Sequence, residues 1–225
     1  MTIEEYFGNW SKVIDLQEAD KLMRRLSSQK ICPLPKDIFK AFNLCSLDNL
    51  RVVIVGMDPY CDIYKGNPRA TGIAFANVPD TPDSSLSPSL SVLKESVIDF
   101  TIPHRRVNCD PSVEKCEAQG VLLLNSALSC EVGRVGSHTL LWRPFIKSLL
   151  INLSCYHTGL VYVLMGTVAQ SFEPYINKQF NHIVKIRHPA WYARQKIRMP
   201  SDIWQEINKI LIDLNGYGIK WFEEN

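Results

Sequence analysis

The stretch from Arg51 to Tyr60 constrains the fold more than any other part of the chain. Its residues 52–55 form a short apolar run rich in β-branched side chains, which is typical of a strand buried on both faces of a sheet. Gly56 ends the run, and Asp58-Pro59 favours an extended or turn conformation just past it. A carboxylate is therefore predicted at the carboxyl end of a buried strand, where open α/β sheets bind ligands. The simpler interpretation makes Asp58 only a turn residue.

Three later apolar runs have the same form, and they lie at residues 121–124, 160–165 and 182–186. Helical patterns separate them, among them one from Pro88 and one over 139–156 that Ser137 is expected to cap. This alternation predicts an α/β fold, a three-layer αβα arrangement with a central, mostly parallel four-stranded sheet. In such a sheet the strand ends meet at one edge, which brings together four groups: Asp58, Asn125, Gly166-Thr167 and His188.

Length and composition limit the class of protein. A chain of 225 residues with 46% hydrophobic residues fits one soluble domain spanning 1–225. No apolar run is long enough for a membrane span, and the amino terminus lacks the features of a secretory signal. The cysteines are odd in number and show no C-x-x-C spacing, and Cys130 and Cys155 are expected in the core. These features predict an intracellular, reducing compartment (cytoplasm, nucleoid or nucleus) and argue against a structural zinc site.

One segment has an unusual charge distribution. Between Pro174 and Ser201 there is no acidic residue but there are six basic ones, and Trp191 and Tyr192 lie among them. The segment is either an ordinary solvated basic face or a surface for nucleic acid, on which exposed aromatic rings stack or wedge against bases.

The strand-end residues have separate, simpler explanations. Asn125 could be a strand-end cap, His188 a structural histidine and Phe75 a core residue. Taken together, an acid, an imidazole, an amide and two aromatic rings at one edge describe a pocket for a flat, polar heterocycle. No Walker loop, nucleophilic serine elbow or dinucleotide fingerprint competes with this interpretation.

The same residues carry a resemblance to a known family. Gly56-Met-Asp-Pro-Tyr60 resembles the water-activating motif of the family-one uracil-DNA glycosylases, which usually reads Gly-Gln-Asp-Pro-Tyr-His. Further matches follow in the family's order from about Asn9 to Trp221, and they include Gly72-Ile-Ala-Phe75, Ser87-Pro-Ser-Leu90, Gln119-Gly-Val-Leu-Leu-Leu-Asn125, Ser137-His138, Gly166-Thr167 and His188-Pro189.

The resemblance implies a monofunctional enzyme that flips uracil out of DNA and hydrolyses its N-glycosidic bond in base excision repair. Asp58 and His188 are then catalytic: the carboxylate orients water, and a neutral imidazole binds the uracil O2. Asn125 reads the edge of the base, Tyr60 excludes the thymine methyl group, and Phe75 stacks on the ring. Met57 belongs to the same uracil-binding set, and the resemblance implies neither a cofactor nor a metal.

The expected DNA-binding residues match the family less evenly. They are Ser87, Pro88 and Ser89, Gly166 and Thr167, and Ala190, Trp191, Tyr192 and Arg194. Where the family usually has His-Pro-Ser-Pro-Leu, this chain has His188-Pro189-Ala190-Trp191-Tyr192, so that Tyr192 or Trp191 has to replace the leucine wedge. Met57 and Cys61 also replace the family's glutamine and histidine.

Two other functions fit the same residues. One keeps the fold but acts on a modified uracil, with Met57 and Cys61 as its support. The other is a DNA-binding or processivity module with a vestigial pocket. The expected partners are uracil-containing DNA, single- or double-stranded, and a proteinaceous uracil-DNA glycosylase inhibitor, with no membrane and a monomeric chain.

Overall fold

A four-stranded sheet forms the centre of the computed structural model, which describes residues 2–101 and 110–221. Its strands are β1 Val52–Gly56, β2 Val121–Asn125, β3 Val161–Met165 and β4 His182–Ile186. They lie in the order β2-β1-β3-β4, and every pairing among them is parallel. The predicted α/β fold is therefore confirmed, and the parallel pairing places all four carboxyl ends at one edge.

Helices flank the sheet. They are α1 Ile3–Phe7, α2 Leu16–Leu26, α3 Lys40–Leu44, α4 Pro88–Thr101, α5 Glu114–Glu117, α6 Thr139–Tyr156, α7 Thr167–Gln170, α8 Pro189–Gln195 and α9 Asp202–Asn215. Two short antiparallel pairs stand apart from the sheet, Ile31–Cys32 with Cys130–Glu131 and Ile63–Tyr64 with Asn67–Pro68. Within the described ranges, no helix combines the length and apolar composition needed to cross a membrane.

Strands β1, β2 and β3 are buried along their whole length, which explains their continuous apolar sequences. Side chains alternate between the two faces, so Ile54 and Leu123 point to the same side of the sheet. There they meet Leu90 of α4 and Trp204 of α9 around one apolar cavity. Asn125 follows Leu123 by two residues and therefore projects from the face that α4 covers.

Two local predictions are wrong. Ser137 does not cap α6; its hydroxyl accepts a hydrogen bond from the backbone N–H of Glu131 at 2.8 Å. His138 occupies the cap position, and its side chain pairs with Ser129 Oγ at 2.9 Å instead of capping the helix. Cys130 is buried as expected, but Cys155 is exposed because it lies on the outer face of α6. Cys109 lies outside the described residues.

Glu117, in α5, is a carboxylate buried inside the molecule at 1% exposure. Its Oε1 accepts a hydrogen bond from the backbone N–H of Leu123 at 3.1 Å, and its Oε2 has no partner within the described residues. Burial therefore raises the pKa of Glu117 well above its ordinary value, and the Leu123 N–H opposes that shift only in part.

Replacement of Glu117 with glutamine is expected to make stability less dependent on pH. A raised pKa in the folded state favours the protonated acid, so the wild type loses stability as pH rises from the unfolded-state pKa through the folded-state value. Relative to the wild type, the free energy of unfolding of Glu117→Gln should therefore rise by about 1.4 kcal/mol or more from pH 5 to pH 8. Urea unfolding at both pH values measures this difference.

The exposed Glu206, on α9, offers a matched control for this measurement. If Glu117→Gln and Glu206→Gln changed the free energy of unfolding in parallel across this pH range, the proposed burial cost at Glu117 would be wrong.

Candidate active site

The edge of the sheet holds a pocket because strand β1 ends on a glycine. Gly56 pairs in register with Asn125 of β2. A Cβ atom built on Gly56 would lie 2.7 Å from Asn125 Oδ1 and 2.9 Å from the ring of Phe75. Any larger residue at position 56 would therefore displace both side chains, so this glycine allows the amide and the ring to approach each other.

Asp58 follows directly, on a segment that the main chain holds in place. The carbonyl oxygen of Met57 accepts hydrogen bonds from Ala127 N at 3.0 Å and from Ser126 Oγ at 2.7 Å. Asp58 Oδ2 accepts a hydrogen bond from the backbone N–H of Gly136 at 2.5 Å. Burial raises the pKa of the Asp58 carboxyl group, and the Gly136 hydrogen bond partly opposes that rise.

His188 stands at the end of β4 and is the N-cap residue of α8. Its Nδ1 accepts a hydrogen bond from the backbone N–H of Ala190 at 3.2 Å. The neutral imidazole therefore carries its proton on Nε2. Burial, followed by the nearby positive charge of Arg194, lowers the pKa of His188 to about 4. Gly166 makes room for this residue, because a Cβ there would lie 2.8 Å from His188 Cβ.

Tyr60 and Phe75 form the aromatic part of the pocket. The hydroxyl of Tyr60 donates a hydrogen bond to the carbonyl oxygen of Phe75 at 3.1 Å, and burial raises the pKa of Tyr60 to about 12. Phe75 adopts a positive φ of 66°, a conformation that costs free energy in a bulky residue. Its ring centroid lies 5.7 Å from that of the His188 imidazole.

These side chains line two connected cavities. The inner one is small, and its walls include Asp58, Tyr60, Phe75, Asn125 and His188. The outer one is a cleft of about 430 Å³ that shares Asp58, Tyr60 and His188 with it. Asp58, Tyr60, Phe75, Asn125 and His188 therefore meet at one place, and an open cleft leads to them. Met57, which was expected in the same uracil-binding set, lines only that outer cleft.

Most of the expected DNA-binding residues surround the cleft. Pro88, Ser89, Gly166, Thr167, Ala190 and Arg194 all line it. Ser87 does not, because its side chain is buried and its backbone N–H donates to Asn77 Oδ1 at 2.8 Å. Pro88 and Ser89 begin the 14-residue helix α4, so the first N–H groups of that helix lie at the cleft.

The two aromatic residues of α8 have different environments. Tyr192 is only 7% exposed, which corrects the expectation that both rings are exposed. Trp191 is partly exposed, and the guanidinium carbon of Arg187 lies 4.1 Å from its ring centroid. The helical turn from Pro189 directs these neighbours to different sides, which the sequence pattern did not indicate.

The basic segment is less basic in three dimensions than in sequence. Glu173 lies just before it and forms ion pairs with Lys178 at 2.5 Å and Lys185 at 3.1 Å. The single carboxylate of Glu173 offsets one of these two positive charges, which lowers the net charge that this part of the surface presents to an anionic partner. Arg194 remains at the cleft itself.

Two main-chain donors of the site were not predicted from the sequence. Gly136 holds Asp58 through its backbone, and Ala190 orients His188 in the same way. Main-chain donors leave no signature in residue type, although Gly136 directly precedes the matched pair Ser137-His138. Met57 and Cys61, which depart from the family motif, both line the cleft. The Met57 Cε methyl group packs toward Gly136.

Comparisons with known proteins agree with this geometry. The family model of the uracil DNA glycosylase superfamily matches residues 42–212. A protein named uracil-DNA glycosylase from Yersinia pseudotuberculosis serotype O:1b is 33% identical over 199 residues, which are 88% of this chain and 83% of the relative. One from Yersinia pestis has the same identity and coverage.

Solved structures show the same fold. The crystal structure of mimivirus uracil-DNA glycosylase aligns with a TM-score of 0.80 at 24% identity, over 97% of this chain and 86% of that one. A variant of the mimivirus protein in complex with UGI aligns with a TM-score of 0.79 at 23% identity, over 98% and 88%. From the family match and the sequence relatives, we conclude that the chain belongs to the uracil-DNA glycosylase superfamily, in which its motifs are those of family one.

Proposed function

We propose that the chain is a monofunctional uracil-DNA glycosylase, which flips uracil out of DNA and hydrolyses its N-glycosidic bond to leave an abasic site. The observation that carries this proposal is the convergence of Asp58, Asn125 and His188 on one pocket walled by Tyr60 and Phe75. The family of the chain supports it. The reaction belongs to base excision repair.

Recognition of the base rests on Asn125. Asn125 lines the small inner cavity, and within the described residues no protein group forms a hydrogen bond with its side-chain amide. The amide is therefore available to pair with a ligand in that cavity. Its oxygen can accept from uracil N3–H while its nitrogen donates to O4, whereas cytosine presents the reverse pattern. Phe75 offers a ring for stacking, and Tyr60 occupies the space that the thymine methyl group would need.

Hydrolysis requires stabilisation of the positive charge that develops on the sugar and of the negative charge that develops on the base. Asp58, as a carboxylate, orients the attacking water and stabilises the oxocarbenium-like sugar. As water adds to C1′ and the C1′–N1 bond breaks, the bonding electrons move onto the uracil ring, and the proton that the water loses passes to the Asp58 carboxylate. The Nε2–H of neutral His188 then donates to the uracil O2, where that negative charge accumulates.

The residues around the cleft bind the backbone of the DNA strand. The N-terminus of α4 at Pro88 and Ser89 offers backbone donors and the positive end of a helix to a phosphate. Gly166 and Thr167 form the start of a second short helix on the other side, and Arg194 adds a positive charge. Contacts of this kind position the strand without reading its sequence.

The space left by the flipped base needs a wedge, and we assign it to Trp191. Tyr192 is buried against the core, so its use as a wedge would require that it leave that packing. Trp191 is partly exposed and is braced by Arg187 on one ring face. A bulky apolar side chain of this type can enter a base step and unstack it.

We further propose that the chain acts as a monomer and that inhibitors of the UGI type bind it. The complex of UGI with the mimivirus variant, whose fold this chain shares, supports the second proposal. Size-exclusion chromatography should give the mass of a single chain, and excess UGI should stop base release in the assay that follows.

Release of uracil from a single-stranded oligonucleotide tests the proposed function. The wild type should convert the uracil position into an alkali-labile abasic site. Oligonucleotides with cytosine or thymine at the same position should stay intact. Asp58→Asn should lower the rate by about 100-fold or more, because the carboxylate that orients water is lost.

Asp20→Asn is the matched control, since Asp20 lies on the remote helix α2 and pairs with Arg24 at 2.8 Å. Tight DNA binding without any base release would instead favour a binding module with a vestigial pocket.

The pH dependence of the site is expected to have a definite sign. With its pKa lowered to about 4, His188 stays neutral at every pH above that value. The raised pKa of Asp58 makes kcat/KM fall as pH drops, because the carboxylate protonates. NMR titration of the imidazole should show His188 titrating near pH 4, and at higher pH in Arg194→Gln. Titration of wild-type His188 near pH 6.5 would contradict the role of burial.

The wedge assignment predicts a difference between DNA forms. Trp191→Ala should lower the rate on duplex substrate by about tenfold, because the wedge no longer offsets part of the free energy needed to unstack a base step. The rate on single strands should change little. The ratio of the two rates is the quantity to measure. An unchanged ratio would show that another residue, with Tyr192 the first to examine, opens the duplex.

A further inference from the structure

A small hairpin leads from the catalytic segment to the wall of the cleft. It pairs Ile63–Tyr64 with Asn67–Pro68, and its turn residues Lys65 and Gly66 both have positive φ, at 49° and 85°. Such a two-residue turn matches the twist of the strands. At the base of the hairpin, the backbone N–H of Arg69 donates to the carbonyl oxygen of Asp62 at 3.0 Å.

The guanidinium of Arg69 joins three groups at this point. Its Nε lies 2.7 Å from Asp62 Oδ2, and its Nη1 donates to the backbone carbonyl of Ser85 at 2.8 Å. Its central carbon lies 4.6 Å from the ring centroid of Tyr64. The side chain is only 15% exposed, which separates it from the surface cations of the protein.

The two segments that Arg69 joins are the two walls of the pocket. Asp62 comes two residues after Tyr60, and Ser85 comes shortly before Ser89. Tyr60 and Ser89 both line the inner cavity. The wall that contains Ser85 and Ser89 is also stabilised by Asn77. The Oδ1 of Asn77 accepts a hydrogen bond from the backbone N–H of Ser87 at 2.8 Å, and its Nδ2 donates to the Ser87 hydroxyl at 3.2 Å. The hydroxyl of Tyr60 also contacts the hydroxyls of Ser87 and Ser89 inside the pocket. Arg69 adds a second link between the two walls.

We propose that Arg69 is a positioning residue for base excision, whose planar guanidinium fixes the catalytic segment of Asp58 and Tyr60 against the phosphate-binding start of α4. This role rests on the proposed function. A guanidinium holds a carboxylate and a carbonyl at once through its fixed fork, and lysine cannot reproduce that geometry. Loss of the link should loosen the pocket, and small displacements of reacting groups slow catalysis strongly.

Two simpler roles make different predictions. Arg69 could serve only to neutralise Asp62, which lines the cleft and would repel phosphates. In that case Asp62→Asn should rescue an Arg69 variant. Arg69 could instead attract DNA by its charge, and then KM should rise while kcat stays constant.

Steady-state kinetics on the single-stranded uracil oligonucleotide separate these roles. Arg69→Gln should lower kcat by about tenfold with KM changed less than about threefold, because positioning acts on the chemical step. Arg69→Lys should lie between that variant and the wild type. The double variant Asp62→Asn/Arg69→Gln should be no faster than Arg69→Gln. Arg24→Gln, which removes an exposed ion pair on α2, is the control expected to keep wild-type kinetics.

The opposite results overturn the proposal. Wild-type kcat in Arg69→Gln, a change confined to KM, or recovery in the double variant would each do so. Should Arg69→Gln fail to fold, Arg69→Lys decides, since an unchanged kcat there rules out a need for the fork. A wild type that releases no uracil refutes the proposed function itself, whereas an active wild type with insensitive Arg69 variants refutes only this role.

Discussion

The register between Gly56 and Asn125 is the constraint on which the rest of the site depends. Parallel pairing of β1 with β2 fixes the two residues side by side, and the missing side chain at Gly56 leaves space for the amide and for Phe75. The same strand end delivers Asp58 two residues later. A shift of one residue in this pairing would turn Asn125 to the other face of the sheet and would separate the amide from the carboxylate.

Burial disfavours the charged form of both ionisable groups of the pocket, so it raises the pKa of Asp58 and lowers the pKa of His188. A backbone donor compensates the carboxylate, whereas Arg194 adds to the cost of an imidazolium. The site therefore maintains one acid that can be charged and one base that is kept neutral, which is the division of roles that cleavage of a base from its sugar requires.

The sequence predicted the sheet and its strand-end residues because buried parallel strands have continuous apolar sequences and parallel strands converge at one edge. It failed where the outcome depends on which way a helix turns or on a contact distant in the chain. Tyr192 and Trp191 look alike in sequence, yet α8 buries one and leaves the other partly exposed. Glu173 pairs with two lysines that the charge pattern had counted as available. Cys155 was expected in the core but is exposed, because apolar neighbours in sequence do not determine which face of a helix a residue occupies.

Two main-chain amides hold the groups proposed for the chemistry: Gly136 N–H binds Asp58, and Ala190 N–H binds His188. A backbone donor is present whatever side chain the residue carries, provided that the local conformation is kept. Ala190 is an example: it stands where the family usually has serine, yet its N–H still binds His188. Gly136 is different, because its φ of 74° favours glycine. The imidazole therefore keeps its geometry through a change of residue type beside it, whereas the carboxylate depends on a glycine.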